Sequence, residues 1–138
     1  MRIFRHYRDV PDAFKGAVIA VGNFAITAAL LQRFAVEAAK YIDDVEIIDI
    51  AYKEKLDAPS GTARELAWRL GIDASKVHSL RLPGYTIGLE VRFGKEDERL
   101  TIHYDGGTGA KPYIGGTLLA IRRVGGVVGL MRGLDAIL

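Results

Sequence analysis

A single lysine and a serine-glycine-threonine turn stand close together in the middle of this chain, and together they could bind an anion. The lysine is Lys55, and the turn Ser60-Gly61-Thr62 follows it where an apolar strand passes into a helix. A helix start of this kind directs unpaired backbone N–H groups and a positive dipole end outward, which favours a carboxylate or a phosphate. The same residues also fit an ordinary capped helix, with either Ser60 as N-cap or Thr62, which would form a capping box with Glu65.

Other polar residues give weaker signals. Asp57 stands beside a proline, and we expect it to fix the loop through side-chain to backbone bonds rather than act as a base. His103 precedes a glycine loop at 106–109, which could wrap an anion but is also typical of a hairpin end. A metal site needs further ligands near His103, and the other histidines, His6 and His78, lie far away in sequence. The sequence predicts no metal site.

The bulk composition narrows the function classes. The chain has 138 residues, 49% of them hydrophobic and 26% charged, which fits one folded domain spanning 1–138. Its formal charge of +2 comes without a run of basic residues, so nucleic acid is not an expected partner. The chain has no cysteine and no uncharged apolar stretch long enough to cross a membrane. The segment Met1–His6 lacks the apolar core of a signal peptide, and we expect a cytoplasmic protein.

Hydrophobic periodicity predicts an α+β fold, a mixed β-sheet with helices packed on one face. We expect the tryptophan of the second helix, Trp68, to face the core, and the last two strands to form an antiparallel hairpin. The predicted elements are, in order, a strand at 16–21, a helix at 26–42, a strand at 45–52, a helix at 62–70, strands at 77–82, 87–93 and 99–104, a helix at 113–124 and an apolar helical segment at 127–138.

The central run, KLDAPSGTA at 55–63, is similar to the signature of dihydrodipicolinate reductases, NAD(P)H-dependent enzymes of the diaminopimelate route to lysine. Fainter similarities at 23–26, 44–49, 98–103 and 116–120 extend the resemblance over about 22–138. The resemblance implies the fold of that family's C-terminal domain, which binds substrate and builds a tetramer. Residues 1–22 would then form an N-terminal arm or strand.

The resemblance also implies roles for individual residues. Lys55 would serve in catalysis and bind the substrate, a small dicarboxylate, together with the turn 60–62. Asn23 and Phe24 match a segment that leads out of the family's nucleotide domain, so they become cofactor-binding candidates. The family places two histidines just before its lysine, and here Ala51 and Tyr52 stand in those positions. Tyr52 could replace a histidine as hydrogen-bond donor, although a tyrosine at a strand end more often packs half-buried.

The family's dinucleotide-binding domain has no counterpart in this sequence. About twenty residues precede Asn23, and no G-x-G-x-x-G turn occurs, since Gly107-Thr108-Gly109 is followed by Pro112 where the third glycine belongs. The resemblance implies NAD(P)H, but we expect its binding domain to be absent and the chain to be inactive alone. Two alternatives stay open: a divergent NAD(P)H-dependent reductase working with a separate nucleotide-binding chain, and a self-associating structural fragment with no ligand.

Two further expectations concern the ends of the chain. The run FKGAVIAVGNF at 14–24 resembles the start of bacterial riboflavin kinase/FAD synthetases, within a fainter likeness over residues 1–24, but the nucleotide motif that follows it in that family is missing. The apolar segment at 127–131 would be exposed unless it packs on the protein's own sheet or on a neighbouring subunit. Because exposed apolar patches commonly become interfaces, we expect a homo-oligomer.

Overall fold

A computed structural model describes residues 16–138, and within that range the chain forms six β-strands, three α-helices and two short 3₁₀ helices. The predictions that concern residues 1–15 lie outside the described residues. The elements are β1 (Ala17–Ala20), α1 (Ile26–Ala38), β2 (Asp44–Ala51), α2 (Gly61–Leu70), β3 (Val77–Arg81), β4 (Gly88–Lys95), β5 (Glu98–Asp105), α3 (Lys111–Val124) and β6 (Gly129–Arg132), with 3₁₀ helices at Ala74–Lys76 and Leu134–Ile137.

The larger sheet has four strands in the order β3-β2-β4-β5. Strand β2 runs parallel to β3 and antiparallel to β4, so Ile47 lies opposite Val77 on one side and Val91 on the other. Parallel neighbours need a crossover connection, and α2 supplies it. Strands β4 and β5 form the expected antiparallel hairpin, in which Val91 faces Ile102.

Helices α1 and α2 cover one face of this sheet. Side chains alternate along a strand, and the inward positions of β2 and β4, among them Ile47 and Val91, are fully buried. They pack against Leu31 of α1 and Leu66 of α2 in one continuous core. The structure therefore confirms the α+β prediction, a mixed sheet with helices on one face.

A second, smaller sheet pairs β1 with β6 in parallel, with Ala17 opposite Gly129. Its core lies between α1, α3 and the C-terminal 3₁₀ helix and includes Ala29, Ala120 and Leu134. Helix α3 crosses the β1–α1 connection at Gly116, where an added Cβ would lie 1.9 Å from the Phe24 carbonyl oxygen. This close approach fixes the connection against the start of α3.

Several local predictions were wrong. The segment 127–138 is not helical, because Gly129 and Gly133 adopt φ angles of 77° and 83°, and the chain forms β6 and a 3₁₀ helix instead. The apolar segment at 127–131 meets one of its expected alternatives, because β6 packs on the protein's own β1 and Val128 is the one residue of that segment that is fully exposed. Trp68 is 75% exposed rather than in the core. Helix α1 stops at Ala38 rather than continuing to residue 42.

Candidate functional site

The predicted anion-binding residues lie around one cavity of about 440 Å³. Three parts of the chain meet there: the β1–α1 connection, the loop from β2 into α2, and the adjoining ends of β4, β5 and α3. The lining residues are Gly22, Asn23, Phe24, Lys55, Asp57, Ser60, Gly61, Thr62, Ile87, Gly88, Leu89, Tyr104 and Tyr113. The fold thus brings together six of the seven predicted site residues, although they are far apart in sequence.

Helix α2 begins at the cavity wall, and Ser60 is its N-cap. The Ser60 hydroxyl accepts the Ala63 N–H at 3.2 Å, which decides between the two cap candidates. The N–H groups of Gly61 and Thr62 lie in the first turn, where a helix offers no internal acceptor. They have no acceptor elsewhere among residues 16–138. The helix end therefore presents to the cavity two donors that no group in residues 16–138 occupies, together with its positive dipole.

Lys55 reaches the same cavity with a side chain that is only 17% exposed, and its ammonium group pairs with Asp57. The hydrogen bond from Lys55 holds the pKa of the Asp57 carboxyl below its usual value. Asp57 therefore remains charged at neutral pH, and it positions the lysine within the loop. An anion that enters the cavity would share the Lys55 ammonium group with this carboxylate.

The opposite wall is organised by Asn23. Its side-chain oxygen accepts the Ala25 N–H at 2.9 Å, and its amide nitrogen donates to the Tyr104 hydroxyl at 3.1 Å and to the Thr62 hydroxyl at 3.5 Å. These contacts join the β1–α1 connection to α2 and to the end of β5. Asn23, predicted as a cofactor-binding residue, thus lies beside the turn predicted to hold a carboxylate.

Tyr104 was not recognised from the sequence as a site residue. Tyr104 is only 7% exposed, and burial raises the pKa of its phenol from 10.0 to about 12, while the Asn23 hydrogen bond partly opposes the shift. The phenol is therefore neutral at physiological pH and can donate a hydrogen bond. The sequence offers one weak signal for Tyr104. Side chains alternate along a strand, so Tyr104 lies on the same face of β5 as the apolar Ile102.

A buried ion pair attaches the loop between β2 and α2 to the four-stranded sheet. The Asp49 carboxylate, 2% exposed, accepts the Ser60 N–H at 2.7 Å and pairs with Arg81 at 2.6 Å. The Arg81 guanidinium group also donates to the Asp57 carbonyl oxygen at 2.8 Å. Asp49 and Arg81 thus hold both the middle and the end of the loop to the sheet. In the sequence both residues lie within predicted strands. Their contact forms between two parallel strands, so the pattern of either strand alone does not predict it.

The remaining candidates do not reach the cavity. Ala51, at one expected histidine position, is fully buried, and Tyr52, at the other, is 45% exposed and does not line the cavity. His103 pairs instead with Glu90 and Asp105. Within residues 16–138 no group of three or more potential metal ligands comes together, and no helix is long and apolar enough to cross a membrane.

Together the fold and the cavity define an α+β domain whose central site suits a small anion. A family model described as the C-terminus of dihydrodipicolinate reductase matches residues 27–138. The chain belongs to the dihydrodipicolinate reductase family.

Individual relatives agree with this assignment. The 4-hydroxy-tetrahydrodipicolinate reductase of Desulfitobacterium hafniense is 38% identical over 152 residues, with 93% of this chain and 57% of the relative covered. That of Mycolicibacterium smegmatis is 36% identical over 146 residues, covering 88% of this chain and 59% of the relative. A dipicolinate-bound dihydrodipicolinate reductase from Paenisporosarcina sp. TG-14 superimposes with a TM-score of 0.78 at 32% identity, over 90% of this chain and 56% of that one. The chain thus spans little more than half the length of these relatives.

The described residues do not fit the pyrophosphate of the family's nicotinamide cofactor. Such a group needs an open glycine turn at a helix start. The glycine of the β1–α1 connection, Gly22, faces a carboxylate instead, since a Cβ added there would lie 2.6 Å from Glu65 Oε2. Helix α1 also begins without a side-chain cap at Ala25. Neither feature provides the open glycine turn at a helix start that a pyrophosphate needs.

Proposed function

We propose that this chain is the substrate-binding and oligomerisation part of a dihydrodipicolinate reductase-like protein of lysine and diaminopimelate biosynthesis. Its cavity would bind a small dicarboxylate with the geometry of a pyridine or piperidine 2,6-dicarboxylate. The observation that carries the proposal is the convergence of Lys55 with the N–H groups of Gly61 and Thr62 at one cavity. Its volume of about 440 Å³ falls within the usual range for small-molecule sites.

The helix start and the Lys55 ammonium group both favour an anionic ligand in the cavity. One carboxylate would accept the N–H groups of Gly61 and Thr62 and the Thr62 hydroxyl, an arrangement favoured by the helix dipole. Lys55 would supply the compensating positive charge, and Ser60 would act through its cap, which keeps the helix start in place. The dipicolinate-bound relative supports the choice of ligand class.

We expect residues 16–138 to be inactive as a reductase when they are alone. Hydride transfer in this family requires NAD(P)H, and we propose that its nucleotide portion is bound by another part of the protein or by a separate chain. Asn23 and Phe24 line the cavity, so they would border the substrate and remain candidates for contact with the cofactor. Lys55 is the acid-base candidate that lines the cavity, and Tyr52 remains a weaker one because it lies outside it.

We also propose that the protein is a homo-oligomer, a tetramer by analogy with its family, and that it acts in the cytoplasm with other biosynthetic enzymes. An apolar stripe on α3 supports self-association. The stripe consists of Ile114, Leu118 and Ile121, which are 53%, 44% and 63% exposed. Sedimentation velocity over a hundredfold range of concentration tests this, and a species that stays monomeric throughout would contradict it.

The binding proposal is tested by isothermal titration calorimetry with pyridine-2,6-dicarboxylate. We expect saturable binding to the wild-type chain, weakened at least tenfold in Lys55→Ala because a partly buried charged partner is lost. Lys53→Ala is the matched control, since Lys53 lies two residues away and is exposed. A thermal melt gives an independent measure, with a stabilisation of about 2.7 kcal/mol at a ligand concentration one hundred times Kd.

The outcomes separate the alternatives. Absence of binding at millimolar ligand would contradict the proposal and favour a self-associating structural fragment. Equal weakening by the two lysine substitutions would mean that general charge, rather than the cavity, attracts the ligand. Reductase activity on addition of a separate dinucleotide-binding domain and NADPH would favour the divergent two-chain reductase.

A further inference from the structure

The side-chain amide of Asn23 has a fixed orientation. Its oxygen accepts the Ala25 N–H at 2.9 Å, so its nitrogen must face the two hydroxyl groups of Tyr104 and Thr62, at 3.1 and 3.5 Å. An amide nitrogen carries two protons and accepts none. Both hydroxyl oxygens are therefore acceptors toward Asn23.

This arrangement determines where the hydroxyl protons point. A hydroxyl that accepts from one side still has one proton to donate. Among residues 16–138, neither Tyr104 nor Thr62 has a protein acceptor for that proton at the cavity. Both side chains line the cavity, and Tyr104 is only 7% exposed. A buried donor without an acceptor is unfavourable, and a ligand carboxylate would satisfy it.

We propose that Tyr104, oriented by Asn23, donates a hydrogen bond to one carboxylate of the bound ligand and makes the cavity selective for dicarboxylates over monocarboxylates. The inference rests on the proposed function and deepens it. In this scheme the helix start at Gly61 holds the first carboxylate, and Tyr104 binds the second. Asn23 is a positioning residue, and the donor role considered for Tyr52 passes to Tyr104.

The electrostatics of the wall agree with this role. The raised pKa of the Tyr104 phenol, about 12, keeps its proton in place throughout the physiological range. A charged donor at this position would pair with any anion, whereas a neutral, directed hydroxyl discriminates by geometry. A ligand with a single carboxylate would use the helix start and leave the Tyr104 proton unsatisfied. Such a ligand should therefore bind more weakly.

Calorimetric titration with two ligands, pyridine-2,6-dicarboxylate and pyridine-2-carboxylate, tests the inference. Tyr104→Phe removes only the hydroxyl, and we expect it to weaken binding of the dicarboxylate about tenfold or more while changing the monocarboxylate far less. The dissociation constant of the monocarboxylate divided by that of the dicarboxylate should then fall toward one. Tyr41→Phe, at a tyrosine that is 73% exposed and does not line the cavity, is the matched control and should leave both constants unchanged. Tyr52→Phe tests the competing donor. Asn23→Ala keeps the phenol but removes its orientation, and we expect a smaller fall in the same ratio.

Each result decides between the two proposals. If the wild-type chain binds the dicarboxylate and Tyr104→Phe binds it with the same affinity and selectivity, the role of Tyr104 is wrong and the proposed function stands. A stronger effect of Tyr52→Phe would return the donor role to Tyr52. If the wild-type chain binds neither ligand, the proposed function fails and this inference fails with it. Equal weakening of both ligands by Tyr104→Phe would show a general loss of cavity structure and would overturn the selectivity.

Discussion

Removing Arg81 should destabilise the protein far more than removing a surface arginine. In Arg81→Met the Asp49 carboxylate stays buried, at 2% exposure, with the Ser60 N–H as its remaining bonded partner. Breaking one side of a buried ion pair in this way typically costs about 3 to 5 kcal/mol. The substitution also removes the bond from the guanidinium group to the Asp57 carbonyl oxygen, so the loop loses its second attachment.

The assay is chemical denaturation followed by circular dichroism, with a thermal melt beside it. For a chain of this size, 3 to 5 kcal/mol corresponds to a fall in Tm of about 10 to 20 °C. The matched control is Arg92→Met, because Arg92 pairs with Glu90 on the sheet but is 63% exposed. An exposed pair contributes about 1 kcal/mol or less. The double variant Asp49→Asn/Arg81→Met should recover more than half of the loss, since no buried charge remains.

Two results would refute this reasoning. If Arg81→Met lost no more stability than Arg92→Met, the buried pair would not be what holds the loop to the sheet. If the double variant were as unstable as Arg81→Met, the lost contacts of the guanidinium group, rather than the uncompensated carboxylate, would dominate.

Three further predictions follow from the caps, the close contacts and the buried phenol. Ser60→Ala removes the N-cap of α2 and should lower the free energy of unfolding by about 1 kcal/mol, measured by denaturant titration. Gly116→Ala places a methyl group 1.9 Å from the Phe24 carbonyl oxygen and should cost about 3 kcal/mol or more, whereas Gly125→Ala, where nothing lies within 4 Å, should be neutral or slightly stabilising. The phenol of Tyr104 keeps its proton more tightly in the folded state, so its contribution of about 2 to 3 kcal/mol is present below pH 10 and is lost as the pH rises to about 12.

Controls make each of these results decisive. Ser79→Ala, an exposed serine on β3, should leave stability unchanged, and an equal loss there would contradict the cap. Equal effects of the two glycine substitutions would contradict the tight crossing of α3. Tyr104→Phe should flatten the alkaline part of the stability curve, and an unchanged slope between pH 10 and 12 would mean that another group titrates.

The sequence predicts the loop residues of the cavity better than the strand residues that contact this loop. The helix start at Ser60 is encoded locally, because a cap, a glycine and a threonine precede the apolar positions of α2. Its partners Asp49 and Arg81 come together only when β2 pairs with β3. The sequence pattern of a strand does not predict that a carboxylate on it will be buried and paired. Tyr104 reaches the cavity through the β4–β5 hairpin in the same non-local way. The local pattern therefore indicates the residues of the loop but not those that the sheet brings to it.

The wrong local predictions have specific causes. The inner face of α2 is already filled at 63, 66, 67 and 70, so Trp68 falls on the opposite side. The large apolar side chain of Trp68 favours a buried position, but the helical spacing of the core residues places it on the exposed face of α2. At 127–138 the apolar residues resembled a helix, but Gly129 and Gly133 take left-handed backbone conformations that break one. At these two positions the backbone conformation of glycine decides the structure, and the hydrophobicity of the neighbouring residues does not.

The pairing of β1 with β6 has a consequence for how the chain folds. These strands are short and parallel, and Ala17 meets Gly129 across almost the whole described length. Closing a loop of about 110 residues is entropically unfavourable, so contacts of this kind form after local ones and slow the folding rate. The four-stranded sheet, with its hairpin and short crossover, can assemble earlier. We therefore expect the amide hydrogens of β1 and β6 to exchange with solvent sooner than those of β2 and β4, as a separate cooperative unit that opens while the rest of the molecule stays folded.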